Sequence, residues 1–208
     1  GTAISPAAQF KLYKDFENLS MCIVEKTEIL YNKKKIKYRK EKKKVGCSMM
    51  KRIGMLTSGG DCQALNATMR GVVKGLTNSL DELEIYGFDD GYKGLIYGKY
   101  RMLTSKDFSG ILTQGGTILG TSRQPFKLMR VPDEKGIDKV EAMKHTYYKL
   151  CLDCLIILGG NGTQKTANLL REEGLNIIHL PKTIDNDIYG TDMTFGFQSA
   201  VDIATNAI

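Results

Sequence analysis

CLIILGGNGTQKTANLLREEG, residues 154–174, decides how this chain is read. Leu155 to Leu158 form an apolar run without polar alternation, so the strand they build is buried on both faces. Gly159, Gly160 and Gly162 follow, and TQKTANLLREEG (163–174) then has helical spacing and ends on Gly174. Strand, glycine turn and helix in that order place the turn at the carboxyl end of a strand, where α/β sheets bind ligands. The glycines leave no side chain between backbone amides and a ligand. The helix start adds unsatisfied N–H groups and partial positive charge, which suits phosphate. Thr163 is placed to cap the helix and to donate its hydroxyl, and Lys165 adds charge. The turn is not the G-x-x-x-x-G-K-[ST] phosphate loop.

The same alternation extends in both directions. RIGML (52–56), LEIYGF (83–88) and NIIHL (176–180) read as further strands, and ALNATMRGVVKGLT (64–77) and VEAMKHTYYKL (140–150) as helices. DDGYKG (89–94) reads as a turn, residues 105–113 as helical, and FGFQSAVDIATNAI (195–208) as the start of a helix. Interleaved strands and helices predict a three-layer α/β/α domain with a mostly parallel sheet, over residues 49–208.

The 208 residues carry 30 Lys+Arg and 23 Asp+Glu, a net charge of +7. Residues 1–48 hold 12 basic and 5 acidic residues, leaving 18 of each (30 − 12 and 23 − 5) for the remainder. The whole excess therefore sits in the N-terminal piece, mostly in KKKIKYRKEKKK (33–44), and a nucleic-acid surface on the body is not indicated. Residues 1–48 are expected to be an appendage, disordered or non-native, with Met49 or Met50 resembling a natural start. No apolar run reaches the roughly 18 residues of a membrane span. Five cysteines in no framework spacing point to reduced thiols and a cytoplasmic protein. CLDC (151–154) opens a strand rather than a helix, so its cysteines read as small buried hydrophobes. His145 and His179 supply no zinc cluster.

Two more glycine turns repeat the design. SGGDCQALN (58–66) follows the first strand, with Gly59 and Gly60 for close approach and Asp61 as a candidate cap. GGTILGTSR (115–123) ends on Arg123, which suits a phosphate clamp. LPKTIDNDIYG (180–190) then crowds Lys182, Thr183, Asp185, Asn186 and Asp187 at a strand end, more than a turn requires. Phosphoryl transfer asks for such a set: a carboxylate to take a hydroxyl proton, a second near a divalent ion, and cationic groups around the phosphate.

The set SGGDCQALNATMRGVV, DDGYKGL, GGTILGTSR, GGNGTQKTA and PKTIDNDIYGTDMTFGFQSA resembles the 6-phosphofructokinase family in order and spacing, over about residues 50–208. The resemblance implies a phosphofructokinase-like fold of two similar α/β domains, usually homo-oligomeric (dimer or tetramer) when full length. It implies transfer of the γ-phosphate of ATP to the 1-hydroxyl of fructose 6-phosphate, giving fructose 1,6-bisphosphate in glycolysis. Under it Asp185 corresponds to the general base, with Thr183 and Ile184 beside the sugar. Gly60, Tyr92, Arg123, Gln124, Gly160, Asn161, Gly162 and Thr163 correspond to nucleotide-binding positions. Asp187 and Asn161 stand at the magnesium positions.

The donor rests on two residues. Gly162 leaves room for the α-phosphate of ATP, where an aspartate marks pyrophosphate-dependent members, and Lys182 is compatible with either donor. Both stand at catalytic positions. Asn161 replaces the aspartate most members carry, which weakens the metal site, and CQALN replaces the more familiar APGMN. Arg70 and Lys74 match effector positions but Ser105 does not. The residues that hold the sugar phosphate in the family are expected past Ile208, some on a neighbouring subunit, so the 208 residues alone are expected to catalyse weakly or not at all. A nucleotide-binding fragment without catalysis is the alternative from a different class.

Overall fold

The structure, a computed structural model, describes residues 50–208. The expectations for residues 1–48 lie outside the described residues. Six strands run in the order β3-β2-β1-β4-β5-β6: β1 (Lys51–Ser58), β2 (Leu83–Phe88), β3 (Tyr100–Leu103), β4 (Cys154–Gly159), β5 (Ile177–Thr183) and β6 (Phe195–Gly196). Every pairing is parallel except β2 with β3. Among the described residues five α-helices accompany them: α1 (Leu65–Ser79), α2 (Tyr92–Tyr97), α3 (Lys139–Lys149), α4 (Asn161–Glu172) and α5 (Phe197–Ala207), which follows β6.

The expected three layers are present, and β4 shows why. Cys154, Ile156 and Leu158 point to one face, where they meet Leu65, Met69, Val72 and Val73 of α1. Leu155 and Ile157 point to the other, where they meet α3 through Met143 and Tyr147 and α4 through Ala167, Leu169 and Leu170. All six strand residues are buried. Each large apolar side chain buried this way contributes about 1.5–3 kcal/mol. The unbroken apolar run is thus the imprint of helices on both faces.

Some elements differ from expectation. Residues 89–94 do not form a simple turn, since α2 begins at Tyr92. The stretch 105–113 is only a short 3-10 turn over Ser105–Phe108, held by a Thr104–Asp107 capping box. Two short strands were not foreseen: β3, exposed over its first three residues, and the two-residue β6. Neither carries a long apolar run to announce it.

Helix ends α3 and α4 close with the same hydrogen-bond pattern. In α4, Gly174 N donates to Arg171 O (3.0 Å) and Leu175 N to Leu170 O (3.1 Å), with Gly174 left-handed at φ +95°. In α3, Cys151 N donates to Tyr148 O (2.9 Å) and Leu152 N to Tyr147 O (3.1 Å), but the left-handed residue is Cys151, at φ +53°. A side chain there costs about 1–2 kcal/mol. Cys62 and Cys154 are free thiols, whereas Cys151 is disulfide-bonded, so the expectation of reduced thiols is corrected at this position. Cys151 and Cys154 do not pair with each other, and burial raises the Cys154 thiol far above its ordinary range.

His145 is exposed on α3, while His179 is half-buried on β5. Its Nε2 has no hydrogen-bond partner among the described residues. Burial lowers His179 to about 4, only partly offset by a hydrogen bond to the Gly159 backbone. The folded pKa lies below the unfolded value near 6.5, so stability is full above that value and falls as the unfolded chain takes a proton the folded chain refuses. Denaturant titrations at pH 7 and pH 5 should therefore show His179→Gln losing less stability than the parent, by about 1–2 kcal/mol. Equal losses in the two proteins would remove His179 from this role.

Candidate active site

Chain order places the site. From β1 the chain builds β2 and β3 on one side, then returns to lay β4 against the other side of β1. Register runs from Ile53↔Cys154 to Ser58↔Gly159, so the turns after both strands open at one switch point. The three glycine turns and the TIDND segment all converge on this edge.

Polar side chains on β1 fasten the third turn to it. Thr57 Oγ1 donates to Gly120 O (2.7 Å) and shares a hydrogen bond with Thr117 Oγ1 (2.9 Å). Thr121 Oγ1 donates to Gly59 O (2.7 Å). From α1, Asn66 Nδ2 donates to Gln114 O (3.0 Å) and Gly115 O (3.3 Å), while its Oδ1 accepts from Ile118 N (2.9 Å). Asn66, Thr57 and Thr121 were not picked out as site residues. Arg123 is exposed at the mouth of this turn and Gln124 lies beside it, half-buried.

The β4–α4 turn is built differently from expectation. Gly160 is the N-cap of α4, with no side-chain cap. Thr163 therefore does not cap; its Oγ1 donates to Ser58 O (3.3 Å), and its carbonyl accepts from Tyr92 OH (2.8 Å). Tyr92 is 1% exposed, and burial raises its phenol far above the ordinary range, so it acts as a fixed neutral donor. Asp61 likewise caps nothing, since the N-cap of α1 is Ala64 without a side-chain bond. A side chain at Gly162 would meet nothing within 4 Å. The start of α4 thus borders open space at Gly162, and no side chain caps its first amides. Along α4, a cavity of about 450 Å³ opens among Phe126, Gln164, Lys165, Asn168 and His179.

Lys182 is 5% exposed and its Nζ donates to Gly60 O. The buried ammonium thus pins the first glycine turn to β5. Beyond it, Thr183 Oγ1 accepts from Asp185 N (3.1 Å) and lies 3.4 Å from Asp185 Oδ2. Asn186, left-handed at φ +53°, holds the segment's far side by accepting from Thr194 N (2.9 Å). Thr194 Oγ1 donates to Thr183 O (2.8 Å), closing the loop onto β5. Asp185 and Asp187 are left exposed, with Ile184 53% exposed beside them. Among the described residues no group of three His, Cys, Asp or Glu could hold a metal ion. Asn161 opens α4 and Asp187 is exposed beyond β5, so the two expected metal positions supply one amide and one carboxylate.

A family described as Phosphofructokinase matches residues 52–208. Over 162 residues the chain is 60% identical to an ATP-dependent 6-phosphofructokinase of Spirochaeta thermophila, covering 74% of this chain and 43% of that protein. Over 158 residues it is 51% identical to ATP-dependent 6-phosphofructokinase 3 of Bacteroides thetaiotaomicron, covering 76% of this chain and 46% of the relative. A solved phosphofructokinase structure from Saccharomyces cerevisiae superposes with a TM-score of 0.62 at 29% identity, covering 76% of this chain and 24% of that one. The chain spans less than half the length of the curated relatives it matches. Sequence identity and the parallel sheet with its glycine-lined switch point agree, and the chain belongs to the phosphofructokinase family.

Proposed function

We propose that the whole protein is an ATP-dependent 6-phosphofructokinase, and that residues 50–208 carry its nucleotide site and its general base. The observation that carries this reading is the exposed carboxylate of Asp185 at the sheet edge onto which the uncapped N-terminus of α4 also opens. ATP phosphates would lie against the amides of Gly160, Asn161, Gly162 and Thr163 and against Gly60, with Arg123 closing over them and Gln124 and Tyr92 completing the nucleotide contacts. The cavity along α4 would take the nucleoside end, being within the range of ligand sites.

Asp185 would accept the proton of the 1-hydroxyl of fructose 6-phosphate as that oxygen attacks the γ-phosphorus. Its hydrogen bonds to Thr183 hold it in place, and Thr183 and Ile184 would flank the sugar. Lys182 would keep a positive charge under the turn that receives the phosphates, opposing the negative charge of the aspartates. Bound magnesium would neutralise phosphate charge, with Asp187 and Asn161 reaching it. The sugar-phosphate contacts would come from parts of the whole protein outside residues 50–208.

We further read the whole protein as a cytoplasmic homodimer or homotetramer. Its support is the family, together with α5, which has no buried residue and exposes Val201 and Ile203. No described helix is long and apolar enough to cross a membrane. Sedimentation of the whole protein as a monomer would overturn the oligomer.

In the whole protein, Asp185→Asn should lower turnover by about 10²–10⁴-fold while leaving the nucleotide dissociation constant unchanged. Near-normal turnover would remove Asp185 from the base role. Phosphorylation of fructose 6-phosphate should proceed with ATP and not with pyrophosphate, because Gly162 leaves open space where phosphate must fit. Turnover with pyrophosphate alone would favour the alternative donor, with which Lys182 is equally compatible. Gly162→Asp should weaken ATP binding at least about tenfold, since a carboxylate would face the α-phosphate; unchanged affinity would place the donor elsewhere. Tight ATP binding with no phosphoryl transfer would favour the non-catalytic reading that Asn161 motivates.

A further inference from the structure

We propose that Thr194 is a positioning residue for phosphoryl transfer, closing the TIDND segment so that Asp185 and Asp187 keep one fixed relative orientation. The inference rests on the reading of Asp185 as the general base. It answers a physical problem in how these carboxylates are held. Between the end of β5 and Thr194, over residues 184–193, only Ile188 is buried. Packing alone therefore does little to fix the two aspartates, and a loose loop would pay its ordering entropy each time substrate bound.

Thr194 is 3% exposed, and each of its polar groups is used. Its N–H donates to Asn186 Oδ1 (2.9 Å), its hydroxyl donates to Thr183 O (2.8 Å), and its carbonyl accepts from Phe197 N (3.3 Å) at the start of α5. One residue thus joins the end of β5, the middle of the TIDND segment and α5. Asn186 lies between the two aspartates at φ +53°, a conformation that asparagine tolerates better than most side chains. The backbone at this residue sets how Asp185 and Asp187 stand relative to each other. Its side chain is held at both ends, since Oδ1 accepts from Thr194 N and Nδ2 donates to Asp192 O (3.3 Å). On the other flank, Thr183 offers Oγ1 to Asp185 N (3.1 Å) while its carbonyl is held by the Thr194 hydroxyl. Both neighbours that frame Asp185 are therefore fastened to Thr194.

The two-residue strand β6 serves the same end. Its pairing of Lys182 with Phe195 and of Thr183 with Gly196 lays the returning chain along the last residues of β5. That register brings Thr194 beside the segment it closes. Gly196, at φ +114°, permits the approach, because a Cβ there would sit 3.2 Å from Thr183 O and 2.8 Å from Cys62 Sγ.

The test is made in the whole protein. Thr194→Val removes the hydroxyl and keeps the bulk, so turnover should fall about 10–100-fold while the ATP dissociation constant stays unchanged. Thr194→Ser keeps the hydroxyl and should retain most of the parent's turnover. Combined with Asp185→Asn, Thr194→Val should cost no more than about twofold further, because the carboxylate it positions is already gone. Asn186→Gly keeps a left-handed backbone accessible and removes only the amide. It should lower turnover in the same way, and it carries the test if Thr194→Val does not fold. A lower Tm with turnover unchanged would make Thr194 merely structural and overturn the inference. Equal losses from Thr194→Val with and without Asp185→Asn, or a loss in Thr194→Ser as large as in Thr194→Val, would overturn it too. Near-normal turnover of Asp185→Asn by itself would instead overturn the base reading on which the inference rests.

Discussion

The structure depends on how closely β4 and α4 approach β1. A side chain at Gly159 would sit 2.6 Å from Ser58 O and 2.6 Å from Thr163, so none can be present while both neighbours stay in place. That close approach lets Thr163 Oγ1 reach Ser58 O, and it brings the first turn of α4 to the end of β1. With α4 held there, its uncapped amides open at the switch point rather than against another helix. The site exists because two backbones meet with nothing between them.

Around that contact the polar groups act as fasteners. Thr57, Thr121 and Asn66 hold the third glycine turn, Tyr92 holds α4, and Lys182 holds the first turn. Each hydrogen bond adds about 0.5–1.5 kcal/mol net, and a buried group left unpaired costs more than that. Their larger consequence is geometric. Turns rich in glycine lose more conformational entropy on ordering than other segments. Fastening them in the folded state means that much of this cost is met before a ligand arrives.

Sheltering also divides the titratable groups. Tyr92 and Cys154 are pushed far above their ordinary range by burial and stay neutral. His179 is pushed down, so it too is uncharged at neutral pH. The two carboxylates of the TIDND segment are instead exposed to solvent, where they remain available to substrate and ion. Lys182 is buried as well, and it donates its hydrogen bond to the backbone carbonyl of Gly60.

The amino-acid sequence by itself determined the layers and the edge at which chemistry gathers. The apolar run at 154–158 demands cover on both faces, and glycine turns after strands mark where backbone must approach something closely. These are local requirements, written in consecutive residues. Tertiary structure alone decided what each polar residue touches. Thr163, expected to cap α4, spends its hydroxyl on β1, and Asp61 caps nothing. Lys182 grips a turn 122 residues away, and Asn66 one about 50 residues on. The exposed β3 and two-residue β6 exist because strands already in place offer them an edge. Cys151, one member of an unremarkable C-x-x-C, proved to close a helix in a left-handed conformation. Such choices depend on partners brought close by folding, and spacing along the chain carries no record of them.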